Sequence, residues 1–111
     1  MDITESQIPG ATVLALSGRL DGVTSPGLEK RVEELIATNT CQLVFDCTRL
    51  TYASSAGLRV FLSSAKRLKA AGGRALIAGL TPPVREVFAI SGFLEVLTIL
   101  PTTADAAQAL N

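Results

Sequence analysis

Two adjacent hydroxyl groups, those of Ser54 and Ser55, stand where an apolar segment gives way to a helical pattern. At the start of a helix, backbone N–H groups lack partners within the helix, and the helix dipole adds partial positive charge. A phosphate on either hydroxyl would be favourably placed, so the sequence predicts a phosphorylation site here. The alternative is structural, because serine is a favoured N-cap residue and either side chain could cap the helix.

Two carboxylates are the other candidates for chemistry. Asp21 follows the second predicted strand, and Asp46 is predicted near the carboxyl end of the third. In open α/β sheets, functional groups gather beyond the carboxyl ends of the strands, so we expect Asp21 to meet Ser54 and Ser55. These residues also leave open a small nucleotide-binding or hydrolytic enzyme that uses Asp21, Asp46 and the helix start.

Several kinds of site are excluded by composition. The chain has no histidine, which excludes a Ser-His-Asp triad, a Cys-His pair and a His-ligated zinc site. Cys41 and Cys47 are about 20 Å apart along a strand, beyond disulfide reach, and two cysteines cannot form an all-cysteine zinc site. There is no Gly-rich phosphate loop with its lysine, since Gly72-Gly73 ends a helix. We therefore expect a protein without cofactors that is not an enzyme.

Length and charge narrow the class of partner. A chain of 111 residues with 48% hydrophobic residues fits one domain over residues 1–111. Ten basic and ten acidic residues cancel, so we expect no binding to nucleic acid or to an anionic membrane. No apolar run approaches the roughly 20 residues of a membrane span, and the polar start, with Asp2, Glu5 and Gln7, lacks the charged-then-apolar layout of a signal peptide. These features predict a cytoplasmic protein that binds other proteins.

Hydrophobic patterning predicts the elements that position these residues. Strands are expected at 3–8 and 11–16, joined as a hairpin by Pro9-Gly10, across the run between Cys41 and Cys47 that contains 43–45, and at 75–78 and 96–100. Residues 43–45 are expected to be buried on both faces of the sheet.

Four helices complete the predicted order. The first starts after the Thr24-Ser25-Pro26 cap and ends near Asn39, and the second runs from about Ser55 to Gly72-Gly73. The third opens at Thr81-Pro82-Pro83 and ends at Ser91-Gly92, and a short fourth helix follows a Thr102/Asp105 capping pair. The order β-β-α-β-α-β-α-β-α predicts a single-domain α/β fold with a mixed sheet of about five strands and about four helices.

The chain resembles the STAS domain of bacterial anti-sigma factor antagonists over nearly its whole length. The resemblance is carried by short motifs, which are LSGRLD at 16–21, LVFD at 43–46, SSAGL at 54–58, Gly72-Gly73 with 76–79, PVREVF at 83–88 and SGF at 91–93.

This resemblance implies a phosphorylation-controlled binding protein. In the family, an anti-sigma factor that is also a serine kinase modifies a serine at the start of the second helix, a phosphatase reverses the reaction, and the unmodified antagonist binds the kinase. Asp21 matches a loop aspartate near that site, with roles in kinase contact or repulsion of the phosphate; a turn hydrogen bond is its structural alternative. The implied partner-binding residues are Asp21, Ser54, Ser55, Leu58 and Arg59. For Leu58 a core position is the alternative, and for Arg59 a solvated helix position.

One position departs from the family pattern. Family members commonly carry Asp-Ser-Ser-Gly-Leu, and the serine before glycine is the one modified, whereas this chain has Ala56 there. Three outcomes follow: phosphorylation of Ser55, which we favour because it lies at the expected helix start, phosphorylation of Ser54, or none. The last outcome corresponds to a STAS scaffold that binds its partners constitutively.

Overall fold

The computed structural model of the protein describes residues 1–110. In that range, five strands and four helices follow the predicted order, which confirms the α/β fold class. The elements, in chain order, are β1 (Asp2–Ile8), β2 (Ala11–Leu20), α1 (Ser25–Ala37), β3 (Gln42–Ala53), α2 (Ser55–Ala70), β4 (Arg74–Ala78), α3 (Pro82–Ile90), β5 (Thr98–Leu100) and α4 (Thr103–Ala109).

The strands form one mixed sheet in the order β1-β2-β3-β4-β5. β1 and β2 are antiparallel and form the predicted hairpin, whereas all other neighbouring strands are parallel. Parallel neighbours need crossover connections, and α1, α2 and α3 lie within these connections. β2 and β3 end side by side, because Leu20 pairs with Ala53. The segments that follow these two strands therefore begin at the same edge of the sheet.

The helices cover the two faces of the sheet unequally. On one face, Leu28 of α1, Phe61 of α2 and Phe88 of α3 belong to one large core cluster with Leu14 and Phe45 of the strands. The Phe61 ring lies 5.1 Å from that of Phe45 and 5.6 Å from that of Phe88, centroid to centroid. On the other face α4 packs alone. Its smaller cluster consists of Ala11, Val13, Val44, Leu76, Ala78 and Ala106.

The third strand is longer than predicted, which changes the place of Asp46. Residues 43–45 are fully buried, as expected of a central strand, but β3 continues to Ala53. Asp46 thus lies in the middle of the strand, and its predicted position near the carboxyl end is wrong. The sequence hides this extension because β3 shifts register twice against β2, so buried Leu50 and Ala53 do not continue the period-two pattern.

The last strand is shorter than the predicted segment 96–100, because β5 covers only Thr98–Leu100. Val96 lies in the turns after α3, where its N–H donates to the Phe93 carbonyl at 3.3 Å and its side chain is 64% exposed. Valine favours strands, and this propensity extended the prediction into the turn. Within residues 1–110, no helix is both long enough and apolar enough to cross a bilayer.

Candidate functional site

The start of α2 distinguishes the two candidate serines. Ser54 is the N-cap residue, with an extended backbone, and its Oγ accepts a hydrogen bond from the Gly57 N–H at 3.4 Å, a long and therefore weak bond. Ser55 is the first residue of the helix and is exposed. The capping interpretation therefore holds for Ser54, while the hydroxyl of Ser55 lies outside the cap and is accessible.

Gly57 allows α2 to start close against the end of β2. A Cβ at this position would lie 2.7 Å from Leu20 Cγ and 2.8 Å from the Leu20 carbonyl oxygen. The backbone fixes the same contact, since the Ser54 N–H donates to the Leu20 carbonyl at 2.9 Å. Asp21 follows Leu20, so its loop and the serine pair are neighbours. In the sequence, a glycine inside the first helical turn is the signal for such a close approach.

Asp21 organises the turn that leads into α1. Its Oδ1 accepts hydrogen bonds from the N–H groups of Thr24, at 3.1 Å, and Val23, at 3.0 Å. These bonds, with that from Thr24 first, hold the pKa of Asp21 below its ordinary value of 3.8. The side chain therefore makes the turn hydrogen bonds of its structural interpretation. Its carboxylate also places a negative charge on the loop beside Ser54 and Ser55.

Three exposed side chains near this junction received no role from the sequence. The Arg19 guanidinium lies 4.1 Å from the Tyr52 ring centroid, and its Nε lies 4.0 Å from Oδ2 of Asp21. Tyr52 is 38% exposed and Val23 is 88% exposed. The signal for Val23 is its place among turn-forming residues, where an apolar side chain has no strand or helix face to join. Together they add an apolar and aromatic rim to the site.

Leu58 and Arg59 occupy opposite environments. Leu58 is 2% exposed and belongs to the large core cluster, which supports its core interpretation and not a partner contact. Arg59 is exposed and borders a shallow groove of about 290 Å³ between α1 and α2. Ala56, at the family's usual phosphoserine position, is half-buried. The residues that line the groove are Ser25, Glu29, Ala56, Arg59, Val60 and Ser63.

Metal ligands and reactive thiols do not collect at this junction. Within residues 1–110, no group of three or more His, Cys, Asp or Glu side chains could hold a metal ion. Both cysteines are free thiols; Cys41 is exposed, and burial raises the pKa of the Cys47 thiol far above its ordinary value. The start of α2 instead presents the exposed Ser55, with exposed Val23, Tyr52 and Arg59 around it.

Comparison with known proteins identifies the family of this chain. The sequence profile of the STAS domain matches residues 2–106. The chain belongs to the STAS domain family. A relative from Bordetella bronchiseptica, named "Putative anti-sigma factor antagonist BtrV", is 37% identical over 111 residues, covering 100% of this chain and 96% of its own. The anti-sigma F factor antagonist of Paenibacillus polymyxa is 28% identical, covering 92% of this chain and 88% of its own.

Solved structures of STAS proteins share the fold. An anti-sigma factor antagonist from Mycobacterium paratuberculosis superposes with a TM-score of 0.88 at 25% identity, covering 98% of this chain and 92% of its own. The Bacillus cell fate determinant SpoIIAA in its phosphorylated form has a TM-score of 0.76 at 20% identity, covering 99% and 100%. At that identity, the second likeness concerns the fold alone.

Proposed function

We propose that this STAS protein is a cytoplasmic anti-sigma factor antagonist in a bacterial partner-switching pathway, and that phosphorylation of Ser55 controls its binding to an anti-sigma factor that is also a serine kinase. The names of its relatives support the first part. The second part rests on one observation, the exposed position of Ser55 as the first residue of α2. SpoIIAA has been solved in unphosphorylated and phosphorylated forms, so this fold can accommodate the modification.

Accessibility favours Ser55 over its neighbour as the modified residue. A kinase must bring the γ-phosphate of ATP within bonding distance of the serine hydroxyl. Ser54 is half-buried and its hydroxyl accepts the N-cap bond from Gly57, so a kinase would reach it less easily and its modification would disturb the cap. Ser55 has no such cost, and Ala56 has no hydroxyl to modify. The departure from the family pattern then moves the modified position by one residue.

The proposed switch is local electrostatics. The kinase transfers the γ-phosphoryl group of ATP to Oγ of Ser55, which loses its proton, and ADP leaves; a phosphatase later hydrolyses the ester. The phosphate adds about −1.5 to −2 charges near neutral pH, on a segment whose Ser54 N–H contacts the carbonyl of Leu20, the residue before Asp21. Two neighbouring negative groups repel acidic groups on the partner, so the complex separates while the fold stays intact. All catalysis belongs to the kinase and the phosphatase, which makes this protein a binding protein and not an enzyme.

The docking surface follows from the exposed groups around Ser55. Val23 and Tyr52 supply apolar and aromatic area, which is common at the centre of protein interfaces. Arg59 and Asp21 supply one charge of each sign at its rim, where they orient the partner. Leu58 contributes from below by fixing α2 to the core.

The test is mass spectrometry of the protein after incubation with candidate kinases from its own genome, ATP and Mg²⁺. We expect one phosphate, located on Ser55 by fragmentation. The Ser55→Ala variant should lose most of the label, while the matched Ser54→Ala variant should keep it. Unchanged labelling of Ser55→Ala would assign the modification elsewhere.

A second function has one specific observation in its favour, namely Ala56 at the family's phosphoserine position. A STAS scaffold that is never phosphorylated would bind the same partner constitutively through the same surface. Stable binding to an active kinase, without any phosphate transfer in the experiment above, would support this scaffold function and overturn the switch.

A further inference from the structure

Within residues 1–110, part of one sheet face carries no helix. α4 packs on the β4 side of that face, through Ala106 against Val44, Leu76 and Ala78. Over β1, β2 and the middle of β3, the face instead holds an open cavity of about 330 Å³. The side chains that line it are mainly small or polar: Thr4, Ala15, Ser17, Asp46, Thr48 and Arg49.

A β-bulge places both charges of this cavity on the same face. Asp46 pairs with Ala15, and Arg49 pairs with Ser17. Between these pairs β3 advances by three residues and β2 by two, so β3 contains one extra residue. Without the extra residue, alternation would turn Arg49 away from Asp46. Bulges of this kind re-aim side chains and are common beside functional sites. The bulge lies in the centre of the sheet, where an interruption of the ladder needs a local reason.

Hydrogen bonds hold the carboxylate of Asp46, whereas Arg49 is exposed, and neither charge is neutralised by an ion pair. Oδ1 of Asp46 accepts hydrogen bonds from the Thr48 hydroxyl, at 2.8 Å, and from the Thr48 N–H, at 3.1 Å, which leaves Oδ2 free. In the part of the chain that the structure describes, neither Asp46 nor Arg49 has a side chain of opposite charge within the 4.0 Å of an ion pair. Their partners on β2 are small, since Ala15 pairs with Asp46 and Ser17 pairs with Arg49. The result is a cavity that has one unpaired charge of each sign and small side chains on the neighbouring strand.

We propose that this cavity binds a small zwitterion, of which the free L-amino acids are the simplest class. The ligand ammonium group pairs with Oδ2 of Asp46, and the ligand carboxylate pairs with the planar fork of the Arg49 guanidinium. The hydroxyls of Thr4 and Ser17 lie within the same lining and are available to polar atoms of the ligand. The volume falls in the range of small-molecule sites, which start at roughly 300 Å³.

The test is a two-dimensional ¹H–¹⁵N NMR titration of the unmodified protein with each of the twenty free L-amino acids at millimolar concentration. We expect saturable shifts of the Ala15, Ser17, Thr48 and Arg49 amides with at least one of them. The decarboxylated amine and the N-acetylated form of that amino acid should each bind about tenfold more weakly or not at all. Absence of saturable shifts at these amides across the panel would overturn the proposal.

Two variants locate the contacts. Asp46→Asn keeps the acceptor for Thr48 and removes only the charge, and Arg49→Gln removes the guanidinium. Each should weaken the binding about tenfold, while the control Arg85→Gln, at an exposed position of α3, should leave it unchanged. Undiminished affinity in both variants would contradict the assignment, and the amine and acetyl ligands test it equally if a variant fails to fold. No step depends on Ser55 or a kinase, so the cavity and the proposed function can fail separately.

Discussion

The two ends of α2 differ in whether charged side chains complement the helix dipole. In the last turn, Arg67 and Lys69 place cations at the negative pole of the helix dipole, whereas the first turn contains no acidic residue at the positive pole. The N-terminal end is instead fixed by neutral contacts, through the Ser54 cap and the close approach of Gly57 to Leu20. At the C-terminal end, the side chains of the helix itself therefore complement the dipole. The other is held in place but left without a negative charge on its own helix, which a phosphate on Ser55 would supply.

The largest effect should come from removing the close approach at the N-terminal end. Gly57→Ala puts a methyl group within 2.7 Å of Leu20 Cγ and 2.8 Å of its carbonyl oxygen, so α2 must shift. We expect the free energy of unfolding to fall by about 1–3 kcal/mol, measured by urea denaturation.

Gly27→Ala is the matched control, because a Cβ there meets nothing within 4 Å in α1. It should stabilise the protein by about 0.5–1 kcal/mol. A stabilising effect of both substitutions would show that the approach at Gly57 is not tight.

Substitutions of the two serines should affect stability differently, because Ser54 caps the helix and Ser55 does not. Ser54→Ala removes the N-cap acceptor and should lower the free energy of unfolding by about 0.5–1 kcal/mol, while Ser55→Ala should change it by less than about 0.5 kcal/mol. Chemical denaturation of the two variants checks this order. A larger loss for Ser55→Ala would mean that Ser55, and not Ser54, supports the helix start.

Added negative charge should act with opposite sign at the two ends of α2. Ser55→Asp should stabilise the protein by about 0.3–0.5 kcal/mol, and Lys69→Glu should destabilise it by a similar amount, because each meets a different pole. Thermal and urea unfolding at low and high salt measure both effects. High salt should shrink both, since exposed charges are screened. If both substitutions changed the free energy of unfolding in the same direction, the helix dipole would not be the cause.

The smallest effect concerns pH. The folded protein holds the pKa of Asp21 below its ordinary value, so this carboxylate contributes stability above that value and loses the contribution as the pH falls through the folded pKa. Asp21→Asn keeps the Oδ1 acceptor and removes the titration. Its free energy of unfolding should therefore depend less on pH than that of the wild type in the acid range below about pH 5. Parallel pH profiles would show that the turn bonds do not favour the ionised form.

Much of this fold could be predicted because its signals are local. Pro9-Gly10 predicted the hairpin, and Thr102 is the cap of α4, where its Oγ1 accepts from the Asp105 N–H at 3.1 Å. The predicted third strand is shorter than β3, because the second half of β3 depends on register shifts against β2, which no local pattern contains. The bulge that brings Arg49 and Asp46 to the same face cannot be predicted for the same reason.

The candidate site also combines features that the sequence predicts with features that depend on tertiary contacts. A strand-to-helix junction with hydroxyls could be predicted from the residues around Ser54 and Ser55. Which serine caps the helix could not, because the choice depends on where the first helical turn closes against Leu20. The exposed positions of Val23 and Tyr52 also depend on tertiary contacts, since both residue types are usually at least partly buried.

If a phosphate on Ser55 controls partner binding, it must change the affinity of the anti-sigma factor for this protein. Phosphoserine is incorporated at position 55 during translation, and calorimetry compares the affinity of the anti-sigma factor for the modified and unmodified proteins. We expect at least about tenfold weaker binding of the modified protein, and we expect NMR spectra to show the same fold for both forms. Equal affinities for the two forms would contradict it.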